Sequence, residues 1–527
     1  MIPLLCGLAA NPALPADLLD RLTGLAGRVP DPDGELACAL AERTDLTSGQ
    51  VRALAANESA AIRLAHAGQL DPAGVDPLDR PPVALALLDE GLGLPEWARV
   101  LAAHPDRETR RQLASRPGLP LDVQETLAAD PDVSVVAELG LWTTDPALAA
   151  RLAAHPHAEV RMATALNEAV PSAALAALIT GEGLAPALSC LVCDREEIPF
   201  THDPHCPRRD CELPGGAACA GGHESTVHDT LQRAARNPAT PTGVAAALAG
   251  HPSMLVRWAL AERTDLPQEL YARLAADPIP AVRLEVAGNP ALGGPLIRAM
   301  AGDAARDAGV RRVLADHPNV PLDVLAELSR TVRLTGRPLP RVAAATPSEL
   351  AELAASPHAA VRALAARSRS LSAEVRDALA GDPDAAVVAC VAPHPGLSGV
   401  RLRAMVARHG VRVLARVAAN PDASPALLTD LARHDPPVRR ALREIAVHPN
   451  APEAALLACL SEPRARADAA RRPALSAPVL ADLLAHGAPE TAGAAAANPS
   501  LPRAAMAELL VRAEAEAEAG PDAGRTS

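Results

Sequence analysis

Lysine is absent from the 527 residues, and all fifty basic side chains are arginine. This removes phosphate-loop lysines, Schiff-base lysines and lysine general bases from the mechanisms open to the chain. Aromatic residues are almost as scarce: Trp97, Trp142, Trp258, Phe200 and Tyr271 are the whole set. A large globular core leans on aromatic rings for buried area. Apolar content of 49%, mostly Ala, Leu and Val, therefore predicts thin cores between short, closely stacked helices. The same scarcity removes the ring platforms on which single-stranded nucleic acid stacks. No apolar run approaches the length of a membrane span. The opening MIPLLCGLAANP lacks the basic flank of a secretory signal. A soluble, cytoplasmic protein without a membrane partner is expected. The net charge of −13 makes it a poor generic polyanion binder, and the all-Arg bias fits a GC-rich bacterial genome.

The strongest positive signal is internal repetition. The segment 251-HPSMLVRWALAERTDLPQELYARLAAD-277 is followed directly by 277-DPIPAVRLEVAGNPALGGPLIRAMAGD-303. Pro252 falls on Pro278, Val256-Arg257 on Val282-Arg283, and Leu260-Ala261 on Val286-Ala287. The first half returns at 57–68, 155–178 and 356–368, and the second half at 11–22, 116–130, 237–250, 317–328, 420–432, 448–460 and 498–510. Each unit reads as two short helices with prolines at their starts, where a missing amide hydrogen costs nothing. Asn, Asp, Ser or His precedes many of these prolines, and several of these are N-cap types. Within 317–328, Leu322, Val324, Leu325 and Leu328 show the spacing of one buried helical face. Elements of eight to ten residues do not persist alone, so stacking must hold them.

These units resemble the leucine-rich repeat variant family, whose repeat looks like D/H-P-x-x-x-V-R-x-x-[LV]-A-x-N-P-x-x-P-x-x-[LV]-L-x-x-L-A. The resemblance covers most of the chain and is closest in 231–303. It implies an all-α, right-handed α-solenoid, HEAT-like in general plan, in which α- and 3₁₀-helices alternate over about sixteen short repeats. Residues 1–178 are then N-terminal repeats, irregular over 69–100; 179–230 form an insert; 231–512 are C-terminal repeats; 513–527 read as a disordered acidic tail. In an open array terminal repeats matter less than central ones, so Leu510 should tolerate a charge better than Leu260.

Arg63, Arg161, Arg257, Arg283 and Arg362 recur in phase, each after Val or Ile. A residue fixed in phase with the core serves the stack, and pairing with carboxylates or helix-end carbonyls of the adjoining repeat is expected. A phosphate-binding ladder would call for more unpaired basic residues and stacking aromatics.

Five of the nine cysteines lie between 190 and 219. Their arithmetic is Cys190-x2-Cys193-x12-Cys206-x4-Cys211-x7-Cys219-x3-His223. A Cys-x2-Cys pair wraps one ion, and a second pair from beyond a loop completes a tetrahedron. The insert is rich in Pro and Gly and cannot build a helical core, so a metal is expected to order it. Zinc is the expected ion, and Cys190, Cys193, Cys206 and Cys211 the first-choice ligands, with Cys219 and His223 able to replace either of the last two. A cysteine-ligated 4Fe-4S cluster is the alternative, because some relatives of the resembled family carry one ahead of their repeats. His223-Glu224-x3-His228 does not make a zinc-protease helix, since i, i+5 places the two rings roughly 140° apart on a helix. Cys6, Cys38, Cys390 and Cys459 fall in repeat helices as small core residues.

The sequence therefore predicts a non-enzymatic scaffold that presents its surface to a protein or peptide. A metal- or iron–sulfur-dependent redox protein or enzyme is the second reading. A nucleic-acid-binding solenoid, which would need a contiguous basic face, is the third.

Overall fold

A computed structural model describes residues 1–191, 224–303, 307–334 and 339–519. Among the described residues the secondary structure is helical, with one isolated bridge, His157 to Ser189, and no strand. The fold is all-α, built of stacked helical hairpins. The second helices are α rather than the 3₁₀ the family resemblance implied, as at Leu121–Ala128, Gln268–Ala275 and Leu322–Thr331. Short 3₁₀ turns occur at Pro72–Gly74 and Leu248–Gly250. No helix among the described residues is long and apolar enough to cross a membrane.

Contacts divide the chain into two units. One holds residues 1–75, 82–92 and 345–527, and the other 76–81 and 93–344. In the second unit, Arg107–Ala114, Val133–Trp142, Ala158–Thr164, Glu224–Arg236, Met254–Ala261, Pro280–Gly288 and Ala308–Ala315 pack in succession as first helices of consecutive repeats. The irregular stretch 69–100 contains the helix Pro81–Asp89 and the start of Trp97–Ala102.

The punctuating dipeptides work differently from the N-cap expectation. First helices are capped by the residue after the proline, as Asp106, Asp132 and Asp384 accept from the amides of Thr109, Ser134 and Ala386. The residue before the proline turns back into the stack. Asn289 Nδ2 donates to the carbonyls of Ala261 and Arg263, while its Oδ1 accepts from its own Ala291 amide. Asn420 does the same to Ala392 and His394. His317 and His448 use Nε2 on the carbonyls of Asn289 and Asn420, with Nδ1 accepting from Asn319 and Asn450. These rungs are buried. They satisfy helix-end carbonyls that would otherwise be orphaned between repeats.

In the first unit the rungs continue through the chain ends. Asn498 donates to Ala470 and Arg472, Asn11 donates to Ala496 and Asn498, and Arg43 donates to Ala9 and Asn11. The helix Ile2–Ala9 packs on Pro489–Ala496, and Ala16–Leu25 on Arg503–Ala519. At this seam Gly7 and Gly493 let two backbones meet: a Cβ built on Gly7 would lie 2.0 Å from the Gly493 carbonyl oxygen. Two expectations are thereby corrected. The acidic run is helical to Ala519, with Glu514 paired to Arg21 at 2.7 Å, rather than disordered from 513. Leu510 is as fully buried as Leu260, because the last repeat has a neighbour.

Candidate functional site

The insert begins in the second unit, against the helix Ala158–Thr164. His157 caps that helix, its Nδ1 accepting from the Glu159 amide, and His155 Nδ1 accepts from the His157 amide. The entering strand of chain is tied to this corner by backbone bonds from Leu188 N to Pro156 O (2.8 Å) and from Ala158 N to Ser189 O (2.9 Å). Cys190, the next residue, is completely buried. Of the six ligands read from the sequence, Cys190 alone is described; Cys193, Cys206, Cys211, Cys219 and His223 lie outside the described residues. Among the described residues no three His, Cys, Asp or Glu side chains are grouped to hold a metal ion.

Beyond the insert, Asn237 Nδ2 donates to the carbonyls of Ala165 and Asn167, each at 2.9 Å. Those partners stand 72 and 70 residues back, whereas Asn289 reaches 28 and 26 residues back to equivalent carbonyls. The surplus of 44 residues therefore leaves the stack unbroken: consecutive repeats meet as if it were not there.

The electrostatics at this corner differ from those of its neighbours. Arg110, Arg257 and Arg362 each pair through Nε and Nη2 with an aspartate twenty residues on, Asp130, Asp277 and Asp382, and use Nη1 on the carbonyls five and six residues back. This fulfils the expected stacking role of the in-phase arginines. Arg283 follows with Asp307, and Arg63 makes an exposed pair with Glu42. Arg161 has Gly181 at the twenty-residue position. Its guanidinium, buried, donates to the carbonyls of His155, Ala185 and Ala154 instead. Among the described residues no carboxylate pairs with it, and burial draws its pKa below the usual arginine range. Burial likewise pushes Glu159 up, against the attraction of Arg233. The point where the chain enters the insert thus carries a buried, carbonyl-solvated positive charge.

Farther along the second unit, polar groups around the largest described recess are held by the stack. A cavity of about 650 Å³ in the second unit is lined by Ala272, Leu296 and Met300 with Asp277, Arg283 and Asp307. Arg283 binds Asp307 and the Asp277 carbonyl, and Asp277 binds Arg257, so its polar lining is already engaged. Burial pushes the Cys459 thiol up to about 12 and the Cys6 thiol to about 11, which keeps both inert as nucleophiles. The polar rungs are the feature that reading the sequence missed. The signal in the sequence is the return of Asn or His before Pro at a fixed step, a pattern that helix capping also produces. No protein-family model and no curated protein matches the chain.

Proposed function

We propose that this chain is a non-catalytic scaffold that holds a protein or peptide on its repeat surface, with a structural metal in the insert. The repeats resemble those of leucine-rich repeat variants, and a cytoplasmic, reducing setting suits the free thiols. The observation that carries the scaffold reading is the doubled ladder. In-phase Asn, His and Arg side chains run between repeats, so the recurrent polar chemistry of the sequence is spent inside the stack, where it holds successive repeats at a fixed spacing.

The metal reading draws on Cys190 and Arg161. A thiolate site is anionic, and a buried guanidinium with no carboxylate partner among the described residues, at the base of the insert, suits such a charge. Bound zinc would cross-link the insert; Cys190, and from the sequence Cys193, Cys206 and Cys211, would hold it. Affinity purification of the intact protein, with metal analysis of the same sample, tests both parts. About one zinc per colourless chain, lost in Cys190→Ser with Cys193→Ser, is the expected result for the metal. A brown protein with about four irons would assign the insert to an iron–sulfur cluster instead. Failure to retain any protein partner would remove the scaffold reading.

A further inference from the structure

The first unit contains a surface that the stack does not account for. Residues 399–443 hold nine arginines against three aspartates, in a chain whose net charge is −13. Two neighbouring first helices carry the centre of this excess, Val411–Ala418 and Arg439–Val447, which pack side by side. Their cores are in register at a 28-residue step: Leu414 with Leu442, Val417 with Ile445 and Ala418 with Ala446 are all buried. The same step places Arg412 beside Arg440 on the solvent side, on helices whose axes are roughly 9 Å apart. Arg416 lies one turn from Arg412, and Arg443 one turn from Arg440, so each pair shares a helix face.

These arginines are not paired as the in-phase arginines Arg110, Arg257 and Arg362 are. Among the described residues Arg412, Arg416 and Arg440 have no hydrogen bond or ion pair, and Arg443 reaches only the Arg439 carbonyl, at 3.5 Å. Arg439 approaches Glu462 at 3.7 Å but is 82% exposed. Glu444, in register with Arg416, pairs with neither row. By contrast the exposed Arg99, Arg151 and Arg298 are each matched to a carboxylate one repeat on or back. A like-charged face costs repulsion, and Glu444 is the one carboxylate these two helices set against it.

Two features narrow the occupant. Residues 345–527 contain no aromatic side chain on which bases could stack. Val411 and Val447 stand 54% and 53% exposed beside the arginines, offering apolar contacts that a phosphate backbone does not use. We propose that the face formed by Val411–Ala418 and Arg439–Val447 docks a short acidic segment of a partner protein, one that carries aliphatic residues beside its carboxylates. The planar guanidinium forks would take those carboxylates in the two-bond geometry seen at Arg257 and Asp277.

The proposal rests on the scaffold reading and deepens it. The test uses the full chain and a triple variant, Arg412→Glu, Arg416→Glu and Arg440→Glu, checked for unchanged helical circular dichroism and melting. The probes are a fluorescent peptide of about twelve residues composed of Glu, Asp and Leu, its Lys-substituted counterpart, and single- and double-stranded DNA of about twenty nucleotides, read by anisotropy at two salt concentrations. The acidic peptide should bind the natural chain and lose about tenfold or more in the variant, with the Lys peptide showing the reverse preference. Equal peptide binding by both proteins, or none by the natural chain, overturns the proposal. DNA bound more tightly than the peptide, and lost in the variant, overturns it too and assigns the face to nucleic acid. Affinity purification with the same two proteins separates the layers: partners retained by both leave the scaffold and remove this face, while partners retained by neither remove the scaffold reading itself.

Discussion

Alanine substitution at two glycines should have opposite signs if the first repeat stacks on the last. Both glycines are helical, Gly7 in Ile2–Ala9 and Gly24 in Ala16–Leu25. In an isolated helix each replacement would stabilise by about 0.5–1 kcal/mol, through reduced backbone entropy in the unfolded chain. A Cβ on Gly24 meets nothing within 4 Å, so that gain should appear in full. A Cβ on Gly7 would stand 2.0 Å from the Gly493 oxygen and 3.0 Å from Ala496 Cβ, and both helices would have to separate by roughly 1 Å. Overpacking of this kind costs about 1–3 kcal/mol, and a contact with backbone rather than with a side-chain end falls at the upper end. Net destabilisation of about 2 kcal/mol by Gly7→Ala, against stabilisation by Gly24→Ala, is the expected pair. Urea denaturation followed by helical circular dichroism reads both. If Gly7→Ala stabilises as Gly24→Ala does, Gly7 faces solvent and the chain ends do not stack.

Asn420→Leu should cost about 3 kcal/mol, because it strands two buried carbonyls, those of Ala392 and His394; the exposed Asn450→Ala should stay within about 1 kcal/mol by the same denaturation assay. Burial holds His317 and His394 below the usual histidine range. Their contribution is therefore complete above about pH 6.5, the ordinary histidine value, and is lost as pH falls below it, because the unfolded chain then binds protons that the folded one refuses. His317→Asn, the other natural rung, should flatten the fall in melting temperature between about pH 6.5 and 5. Replacing 192–223 by a short Gly-Ser linker should leave the melting of the helical array nearly unchanged, since Asn237 already reaches across the insert to Ala165 and Asn167. A large loss of helix would show that the insert supports the stack.

The helical hairpins, their period and the structural duty of the in-phase arginines were legible because each depends on neighbours at a fixed spacing. Val256 and Val282 are buried where the register put them, and Arg257 and Arg362 meet aspartates of the adjoining repeat. The duty of Asn289 and Asn420 was not legible. The same amide that caps a helix can also reach a neighbouring carbonyl, and only the stacked neighbour decides between them. The seam joining Ile2–Ala9 to Pro489–Ala496 depends on a contact between residues some 485 positions apart in sequence, where no local pattern points. At the insert the sequence supplied thiols and spacing. The fastening of the chain before Cys190 and the carbonyl partners of Arg161 depend on where Ser189 and Ala185 are laid against the preceding helix.

The rungs also bear on how such a chain can change over generations. Asn289, His317 and Arg263 are unlike in charge, size and codon, yet each sends a nitrogen to a carbonyl of the repeat before it. Arg43 and Gln69 do so near the amino end. What is inherited from repeat to repeat is a reach rather than a letter. Drift among these side chains erases the written resemblance between repeats while the joint stays whole, so a comparison that aligns letters undercounts them, whereas one that traces donated hydrogen bonds follows the lineage of the repeats further.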